Sequence, residues 1–189
     1  MKRLFQRRSQ DVADLKAGPL RLVAITPEMM LAEQQRDLEH RELQRLLHAR
    51  LTQEWPPQHW EPHVYEFILK QYEEHPDTLG WHRYMLLADA PGPGHKPGCT
   101  VIGAVGGFPK PDGDVEIGYS TLPAFQRRGY GTAAAQKLVG WLLTRRGVKS
   151  VSAQTYLRLP ESVKVMERCG MKPVGAGDDP ETVRYRRMR

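Results

Sequence analysis

The segment from Gln126 to Thr132 constrains the fold more than any other part of the sequence. It reads Gln-Arg-Arg-Gly-Tyr-Gly-Thr and stands between an alternating stretch typical of a β-strand and a long amphipathic helix. Its glycines, Gly129 and Gly131, allow a tight turn and a close approach of a ligand to the backbone. The free N–H groups and the positive dipole end of the following helix favour an anion at this turn. The segment therefore predicts a strand–loop–helix unit that binds a phosphate or diphosphate.

Two common phosphate-binding motifs do not fit this segment. A Walker A loop needs a Lys-Ser/Thr pair after its glycines, and none is present. A dinucleotide fingerprint needs a third glycine, where Ala134 stands, and an acidic residue after the next strand, which is missing. A bare Gly-x-Gly is often a plain turn, but the flanking strand and helix, with Arg127 and Arg128 beside them, favour an anion site.

The order of periodic segments predicts a mixed α/β sheet covered by helices. Residues 1–18 are expected to form a flexible basic tail, and residues 19–189 a single domain. The predicted strands span residues 20–25, 84–89, 99–108, 115–120, 149–155, 172–175 and 182–187. The predicted helices span residues 27–50, with a charged middle that can break, and residues 62–74, 130–146 and 160–169.

Composition argues against several classes of protein. The 189 residues are 40% hydrophobic and 26% charged, as in ordinary globular domains, and no apolar run approaches membrane-spanning length. The two cysteines, Cys99 and Cys169, fit no zinc or redox spacing, which indicates a reducing cytoplasm. His59 and His63 have a metal-compatible spacing, but Pro62 lies between them and no acidic partner follows, so no metal is expected.

The net charge of +6 permits binding to a polyanion. The arginines gather at the two chain ends, and aromatic residues do not alternate with them as a base-stacking surface requires. The pattern therefore favours a solvated basic surface or a small anionic cofactor over nucleic acid. Association with RNA stays a minor hypothesis, which predicts strongly salt-dependent binding.

The Gln-x-x-Gly-x-Gly segment, preceded by Val-Glu-Ile-Gly-Tyr-Ser at residues 115–120, resembles the acetyl-CoA signature of the GNAT superfamily. The most similar branch contains the ribosomal-protein N-terminal acetyltransferases. The element order from residue 84 to 187 is similar to that family, and residues 20–57 fit its opening strand and helices. The resemblance implies a mixed sheet of six to seven strands flanked by helices. It also implies a V-shaped splay between the fourth and fifth strands, which receives the pantetheine arm.

The resemblance also implies positions for the cosubstrate, acetyl-CoA. Thr121 and Leu122 would pair by backbone with pantetheine, and Ser162 would lie near the acetyl sulfur. The family reads Asn-x-x-Ser where this chain has Leu159-Pro160-Glu161-Ser162, so Leu159 removes a side-chain contact to pantetheine. The CoA pyrophosphate would be held by the backbone amides of Gln126, Arg127, Arg128, Gly129, Tyr130, Gly131 and Thr132.

Acetyl transfer to an amine requires a neutral nitrogen, a polarised carbonyl and a leaving thiolate. Glu116 is the candidate base, directly or through a water, with a structural ion pair as its alternative role. A leaving thiol with a pKa of ~8.5 needs only a hydrogen bond from a hydroxyl group, and Ser162 and Tyr156 are the two candidates. Either residue could instead be structural: Tyr156 as an aromatic side chain packed on its strand, and Ser162 as an early-helix serine that bonds the backbone. The N–H of Leu122 is the candidate group that polarises the carbonyl.

These observations predict an acetyl-CoA-dependent N-acetyltransferase in which a primary amine attacks directly in a ternary complex. The acceptor could be a protein N-terminus, a lysine or a small amine; the surplus of arginines argues against a strongly basic acceptor. The acceptor groove is expected between the first helices and the central strands, with 55–57 as its rim or as a hydrophobic plug. The alternative function is a catalytically silent CoA-binding or regulatory module. The protein is expected to be a monomer or homodimer.

Overall fold

The computed structural model describes residues 12–35, 40–57, 60, 62–89 and 98–189. Within these residues eight strands form one mixed sheet, in the order β1-β2-β3-β4-β5-β6-β8-β7. Every neighbouring pair is antiparallel except β5 and β6. The strands are β1 (Leu15–Ala17), β2 (Leu20–Ala24), β3 (Arg83–Ala88), β4 (Cys99–Pro109), β5 (Asp114–Thr121), β6 (Ser150–Tyr156), β7 (Lys172–Ala176) and β8 (Thr182–Met188).

Five α-helices of the described residues cover the two faces of this sheet. They are α1 (Pro27–Gln35), α2 (Arg41–Leu47), α3 (Pro62–Glu74), α4 (Tyr130–Leu142) and α5 (Pro160–Arg168). One apolar cluster joins α4 and α5 to one face, and a second joins α1, α2 and α3 to the other. None of the helices in the described part of the chain combines the length and the apolar character that a membrane span requires.

The start of α1 follows the capping rules that its sequence predicts. Thr26 Oγ1 accepts the N–H of Met29 at 3.2 Å, and Pro27 occupies the first helical position. The helix predicted for residues 27–50 is divided into α1 and α2, and residues 36–39 between them lie outside the described residues. The helix predicted to reach Arg146 ends at Leu142, and a turn with a positive φ at Gly147 follows.

The N-terminal boundary predicted from sequence is wrong, because the sheet begins before residue 19. Strand β1 pairs with β2 in register from Leu15↔Leu22 to Ala17↔Leu20, and Gly18 makes the turn with φ of 58°. Ala17 is buried in the cluster under α4. The domain therefore includes residues 12–18, whereas residues 1–11 of the predicted tail lie outside the described residues.

The central feature of the sheet is a divergence between β5 and β6. Their parallel pairing covers only Asp114–Glu116 against residues 150–152, although β5 continues to Thr121 and β6 to Tyr156. Past Glu116 the two strands separate into a V. The mixed sheet and the splay predicted between the fourth and fifth strands are thus confirmed; these strands are fifth and sixth once β1 is counted.

Candidate functional site

A cleft of ≈ 530 Å³ opens where β5 and β6 diverge, on the face of the sheet that carries α4 and α5. Strand β5 and the turn after it form one wall, the start of α4 forms the floor, and α5 forms the opposite wall. The lining residues are Tyr119, Ser120, Thr121, Phe125, Gln126, Arg127, Gly129, Tyr130, Gly131, Thr132, Leu159, Glu161, Ser162, Lys164, Val165 and Arg168.

The start of α4 presents free backbone donors to this cleft. Gly129, the residue before the helix, has φ of 81°, a left-handed conformation that suits glycine. The first bond of the helix runs from Ala133 N–H to Gly129 O at 3.0 Å, and no side chain caps the helix. The N–H groups of residues 130–132 therefore have no acceptor within the helix, and the dipole adds positive potential there. Such an end suits a diphosphate.

Gly131 keeps a gap open between the start of α4 and the end of β5. A Cβ atom at Gly131 would lie 3.1 Å from Thr121 Oγ1, on the facing strand. A side chain at this position would therefore fill the space between α4 and the end of β5. Glycine lets a ligand approach both backbones.

Most of the residues predicted to bind the cofactor lie together in this cleft. The members that line it are Thr121, Gln126, Arg127, Gly129, Tyr130, Gly131, Thr132, Leu159 and Ser162. Arg128 is exposed and Leu122 is fully buried, and neither contributes to the lining. Leu159 is 44% exposed and precedes α5 without capping it by a side chain.

The role predicted for the N–H of Leu122 is wrong. That N–H donates to the carbonyl of Ile102 on β4 at 2.9 Å, so it cannot polarise a thioester carbonyl or pair with pantetheine. Because backbone groups alternate along an antiparallel strand, those of Tyr119 and Thr121 point to the other edge of β5, into the splay. The carbonyl of Thr121 accepts a bond from Gln126 Nε2 at 2.9 Å.

Ser162 lies in the first turn of α5 and pairs with a tyrosine that the sequence patterns did not single out. Tyr119 Oη lies 3.2 Å from Ser162 Oγ and 3.1 Å from Ser162 O, both within hydrogen-bond distance. Both residues line the cleft. Burial raises the pKa of Tyr119 to about 12, against the lowering effect of the bond with Ser162. In the alternating sequence of residues 115–120, Tyr119 falls on the same face as Val115 and Ile117, but only the fold reveals its partner 43 residues away.

Tyr156, the other candidate hydroxyl, is not part of the cleft lining. Its side chain is partly exposed at the end of β6, and the guanidinium of Arg158 lies 4.3 Å from its ring centre. Such a cation–π contact at an exposed site is worth about 0.5–1 kcal/mol. The structure therefore brings Ser162, and not Tyr156, to the cleft.

Glu116 lies on the face of β5 opposite to α4, because its neighbours Val115 and Ile117 pack in the α4 cluster. Its Oε2 is 3.3 Å from Lys110 Nζ and 3.5 Å from an Arg184 nitrogen. Gln154 Nε2 on β6 donates to Oε1 at 3.0 Å. This bond joins the two strands just where their backbone pairing ends. Glu116 thus stands at the apex of the V, on the side away from the cleft, within an ion-paired network.

Residues 55–57 form a plug and not a rim. Trp55 is 5% exposed, and its Nε1 donates to Glu33 at 2.8 Å. The Trp60 indole and the Tyr84 hydroxyl bond the same buried carboxylate at 3.2 and 2.5 Å. Sequence patterns did not signal this cluster, because Glu33 reads as one more charged residue in a charged helix.

Within the described residues no group of three or more histidine, cysteine, aspartate or glutamate side chains is arranged for a metal ion. His63 lies in the first turn of α3, and His59 lies outside the described residues. Cys99 and Cys169 are both free.

Comparison with known proteins agrees with this geometry. Residues 31–172 match the family model of the acetyltransferase (GNAT) domain. The uncharacterized N-acetyltransferase YjdG of Bacillus subtilis (strain 168) is 27% identical over 161 residues, which cover 82% of this chain and 88% of that protein.

Two solved structures have a similar fold. The acetyltransferase from Agrobacterium tumefaciens strain C58 has a TM-score of 0.62 and 18% identity, with 95% of this chain and 96% of that chain covered. RimL, a ribosomal L7/L12 α-N-protein acetyltransferase in complex with coenzyme A, has a TM-score of 0.59 and 17% identity, with 93% and 98% covered. At these identities the structural likeness establishes the fold alone.

Proposed function

Because the chain belongs to the GNAT acetyltransferase family, we propose that it moves an acetyl group from acetyl-CoA to a primary amine by direct attack in a ternary complex. The observation that carries this proposal is the cleft between β5 and α5, with free amides of α4 at its floor. The cleft lies on one side of the splay and Glu116 on the other. A thioester and an amine entering from opposite faces would meet at the V.

The residues of the cleft fit the chemical groups of acetyl-CoA. The uncapped amides of residues 130–132 would hold the diphosphate, with Arg127 adding positive charge at the rim. The edge of β5 at Tyr119 and Thr121 that faces the splay would pair with the amides of pantetheine, which resemble a peptide, although the Thr121 carbonyl already accepts a bond from Gln126. The backbone N–H of Tyr119 would replace that of Leu122 as the donor to the thioester carbonyl. The Ser162 hydroxyl would face the sulfur.

Glu116 would receive the proton of the attacking amine, directly or through a water. An α-amine with a pKa of ~7.8 is neutral far more often at pH 7 than a lysine amine with a pKa of ~10.4, so it places less demand on this base. We therefore favour acceptors with α-amines or other weakly basic amines. RimL, by its name, acetylates such an α-amine on a ribosomal protein. The free cysteines suit a reducing cytoplasm.

Activity and binding should be measured separately. Release of free thiol from acetyl-CoA is followed with N-terminal peptides, lysine peptides with blocked N-termini, and small amines, while calorimetry measures CoA binding. The proposal predicts CoA binding and amine-dependent thiol release, fastest with weakly basic amines. Binding without transfer to any amine would favour the silent CoA-binding module, with which Leu159 and the ion pairs of Glu116 are compatible. Absence of binding would contradict both functions.

A further inference from the structure

A pair of hydroxyl groups spans the open part of the splay. Tyr119 stands three residues past Glu116, the last residue of β5 that pairs with β6, and Ser162 stands in the first turn of α5. Their oxygens are 3.2 Å apart. Both side chains are partly buried, and both line the cleft.

Counting hydrogen atoms restricts how this pair is arranged. A phenol carries one hydrogen, so Tyr119 donates either to the carbonyl of Ser162, at 3.1 Å, or to its Oγ, at 3.2 Å. In the first case the serine hydrogen points back at the phenol oxygen. In the second case Ser162 Oγ accepts the phenolic hydrogen, and the serine hydrogen is free to point into the cleft.

The surroundings of Tyr119 keep it a donor. Burial raises the pKa of the phenol to about 12, so it holds its hydrogen throughout the neutral range. Ser162 has an ordinary hydroxyl at the end of a helix, where the N-terminal dipole stabilises negative charge. An anion in this part of the cleft would therefore attract the serine hydrogen and select the second arrangement.

We propose that Tyr119 is a positioning residue, which donates its phenolic hydrogen to Ser162 Oγ so that Ser162 aims its own hydrogen at the departing sulfur. This inference rests on the proposed acetyl transfer. In that step the amine nitrogen forms a bond to the acetyl carbon, and the carbon–sulfur bond breaks with its electron pair going to sulfur. The amine gives a proton to Glu116 or water, and the thiolate accepts a hydrogen bond from Ser162 before it takes a proton from solvent.

A purely structural role makes different predictions. If the phenol only braces α5 against β5 through the carbonyl of Ser162, its loss would loosen the cleft wall. The KM for acetyl-CoA and the melting temperature would then change, and kcat would not change by itself. A positioning role lowers kcat at saturating acetyl-CoA and leaves the affinity for CoA intact.

The test is a double-mutant cycle of Tyr119→Phe and Ser162→Ala, with kcat, KM and CoA binding measured for each variant. We expect Tyr119→Phe to lower kcat ~10-fold or more with less than a twofold change in CoA affinity. We expect the double variant to be no slower than Ser162→Ala alone, because residues that act as a unit are not additive. Independent, multiplying effects would overturn the inference, as would an unchanged kcat in Tyr119→Phe.

Tyr72→Phe is the matched control, because the buried Tyr72 hydroxyl donates to the carbonyl of Ile25 at 3.0 Å, away from the cleft. It should lower the melting temperature without lowering kcat. If both phenylalanine variants lose kcat in proportion to stability, Tyr119 is a brace and the inference fails. If the wild-type protein transfers no acetyl group, the proposed function fails, which is a distinct result.

A second measurement covers the case in which Tyr119→Phe does not fold. A fluorotyrosine at position 119 keeps the ring and hydroxyl but ionises at lower pH. The inference predicts that kcat then falls at high pH, where the phenol loses its hydrogen, in a limb that the wild-type protein lacks. Superimposable pH profiles would overturn it.

Discussion

Glu116 can act as a catalytic base or as a structural ion-pair partner, and each role requires a different contact. As a base it must reach an amine at the apex of the splay. As an ion-pair partner it binds Lys110 and Arg184, at 3.3 and 3.5 Å. These partly exposed pairs are individually worth little in stability, about 0–1 kcal/mol. A large effect of its removal on turnover would therefore reflect chemistry more than folding.

The substitution Glu116→Gln should lower kcat by ~10²-fold or more, because the amide keeps the shape and the bond from Gln154 but cannot accept a proton. CoA affinity, measured by calorimetry, should stay unchanged, since Glu116 lies on the other face from the cleft. Asp178→Asn is the matched control, because Asp178 bonds the same Gln154 and Arg184. Equal losses in both variants, or full activity in Glu116→Gln, would remove the base assignment.

At the residue level, the sequence predicts site residues that are contiguous in one segment. It does not predict contacts between residues on opposite sides of the splay. The residues from Gln126 to Thr132 are contiguous, so their pattern indicates a shared function. The Tyr119–Ser162 pair joins positions 43 residues apart. The direction of the Leu122 N–H depends on the register of β5 against β4, which no local pattern specifies.

At the level of elements, the start of α4 is the part on which ligand binding depends most. Its amides act together only if the helix begins at Tyr130 and no side chain fills the space beside Thr121. Two glycines of this helix, Gly131 and Gly140, allow the space beside Thr121 to be tested separately from helix stability. Gly131 faces Thr121, whereas an added Cβ at the exposed Gly140 would meet nothing within 4 Å.

Gly131→Ala should raise the dissociation constant of CoA by ~10-fold or more, about 1.4 kcal/mol, because its methyl group enters the cleft 3.1 Å from Thr121 Oγ1. Gly140→Ala should leave CoA binding unchanged and stabilise the protein by about 0.5–1 kcal/mol, since alanine favours a helix interior. Calorimetry and thermal unfolding measure the two quantities. Undiminished CoA affinity in Gly131→Ala would contradict the placement of the diphosphate.

The start of α5 lacks a side-chain cap, because Leu159 occupies the position. Leu159→Asn should stabilise the ligand-free protein by about 0.5–2 kcal/mol, since asparagine caps helices well. It should also tighten CoA binding, because residue 159 lines the cleft and an amide can bond pantetheine. Leu157→Asn, at an exposed leucine outside the cleft lining, is the control. A gain in melting temperature with unchanged CoA affinity would show that residue 159 affects only the capping of α5 and not CoA binding.

At the level of the whole molecule, the mixed sheet could be predicted because seven strands read as short apolar or alternating segments, whereas the splay followed only from the resemblance to the GNAT family. The eighth, Leu15–Ala17, has three residues and no period to detect; its partner β2 determines it. The charged middle of the first helix region predicts that it can break, but it does not predict that Glu33 bonds Trp55 and Tyr84. Long-range contacts of this kind have no signature in a single sequence.

Acid should destabilise the molecule through His82. This ring is buried between Tyr72 and Phe108, bonds Gln71 Oε1 at 3.0 Å, and fits because Gly106 has no side chain. Burial lowers the pKa of His82 to about 3, whereas an unfolded histidine has a pKa of ~6.5. Between these values the unfolded state binds the extra proton, so the stability present above pH ~6.5 is lost as the pH falls towards about 3.

His82→Gln should reduce this pH dependence of the free energy of unfolding, measured by denaturant titration from neutral pH downwards. The comparison with wild type isolates His82 from the carboxylates that titrate in the same range. His75→Gln, at an exposed histidine, should keep the wild-type slope. Parallel curves for wild type and His82→Gln would show that the histidine is not held neutral.

Backbone amides at the start of α4 are proposed to bind the diphosphate of CoA, and amide NMR observes these groups themselves. The ¹H–¹⁵N resonances of residues 130–132 are followed while CoA is added, with pantetheine, which lacks the diphosphate, added in a parallel titration. We expect saturable shifts of these three amides with CoA and much smaller shifts with pantetheine. Saturation with CoA that leaves the three resonances in place would contradict it.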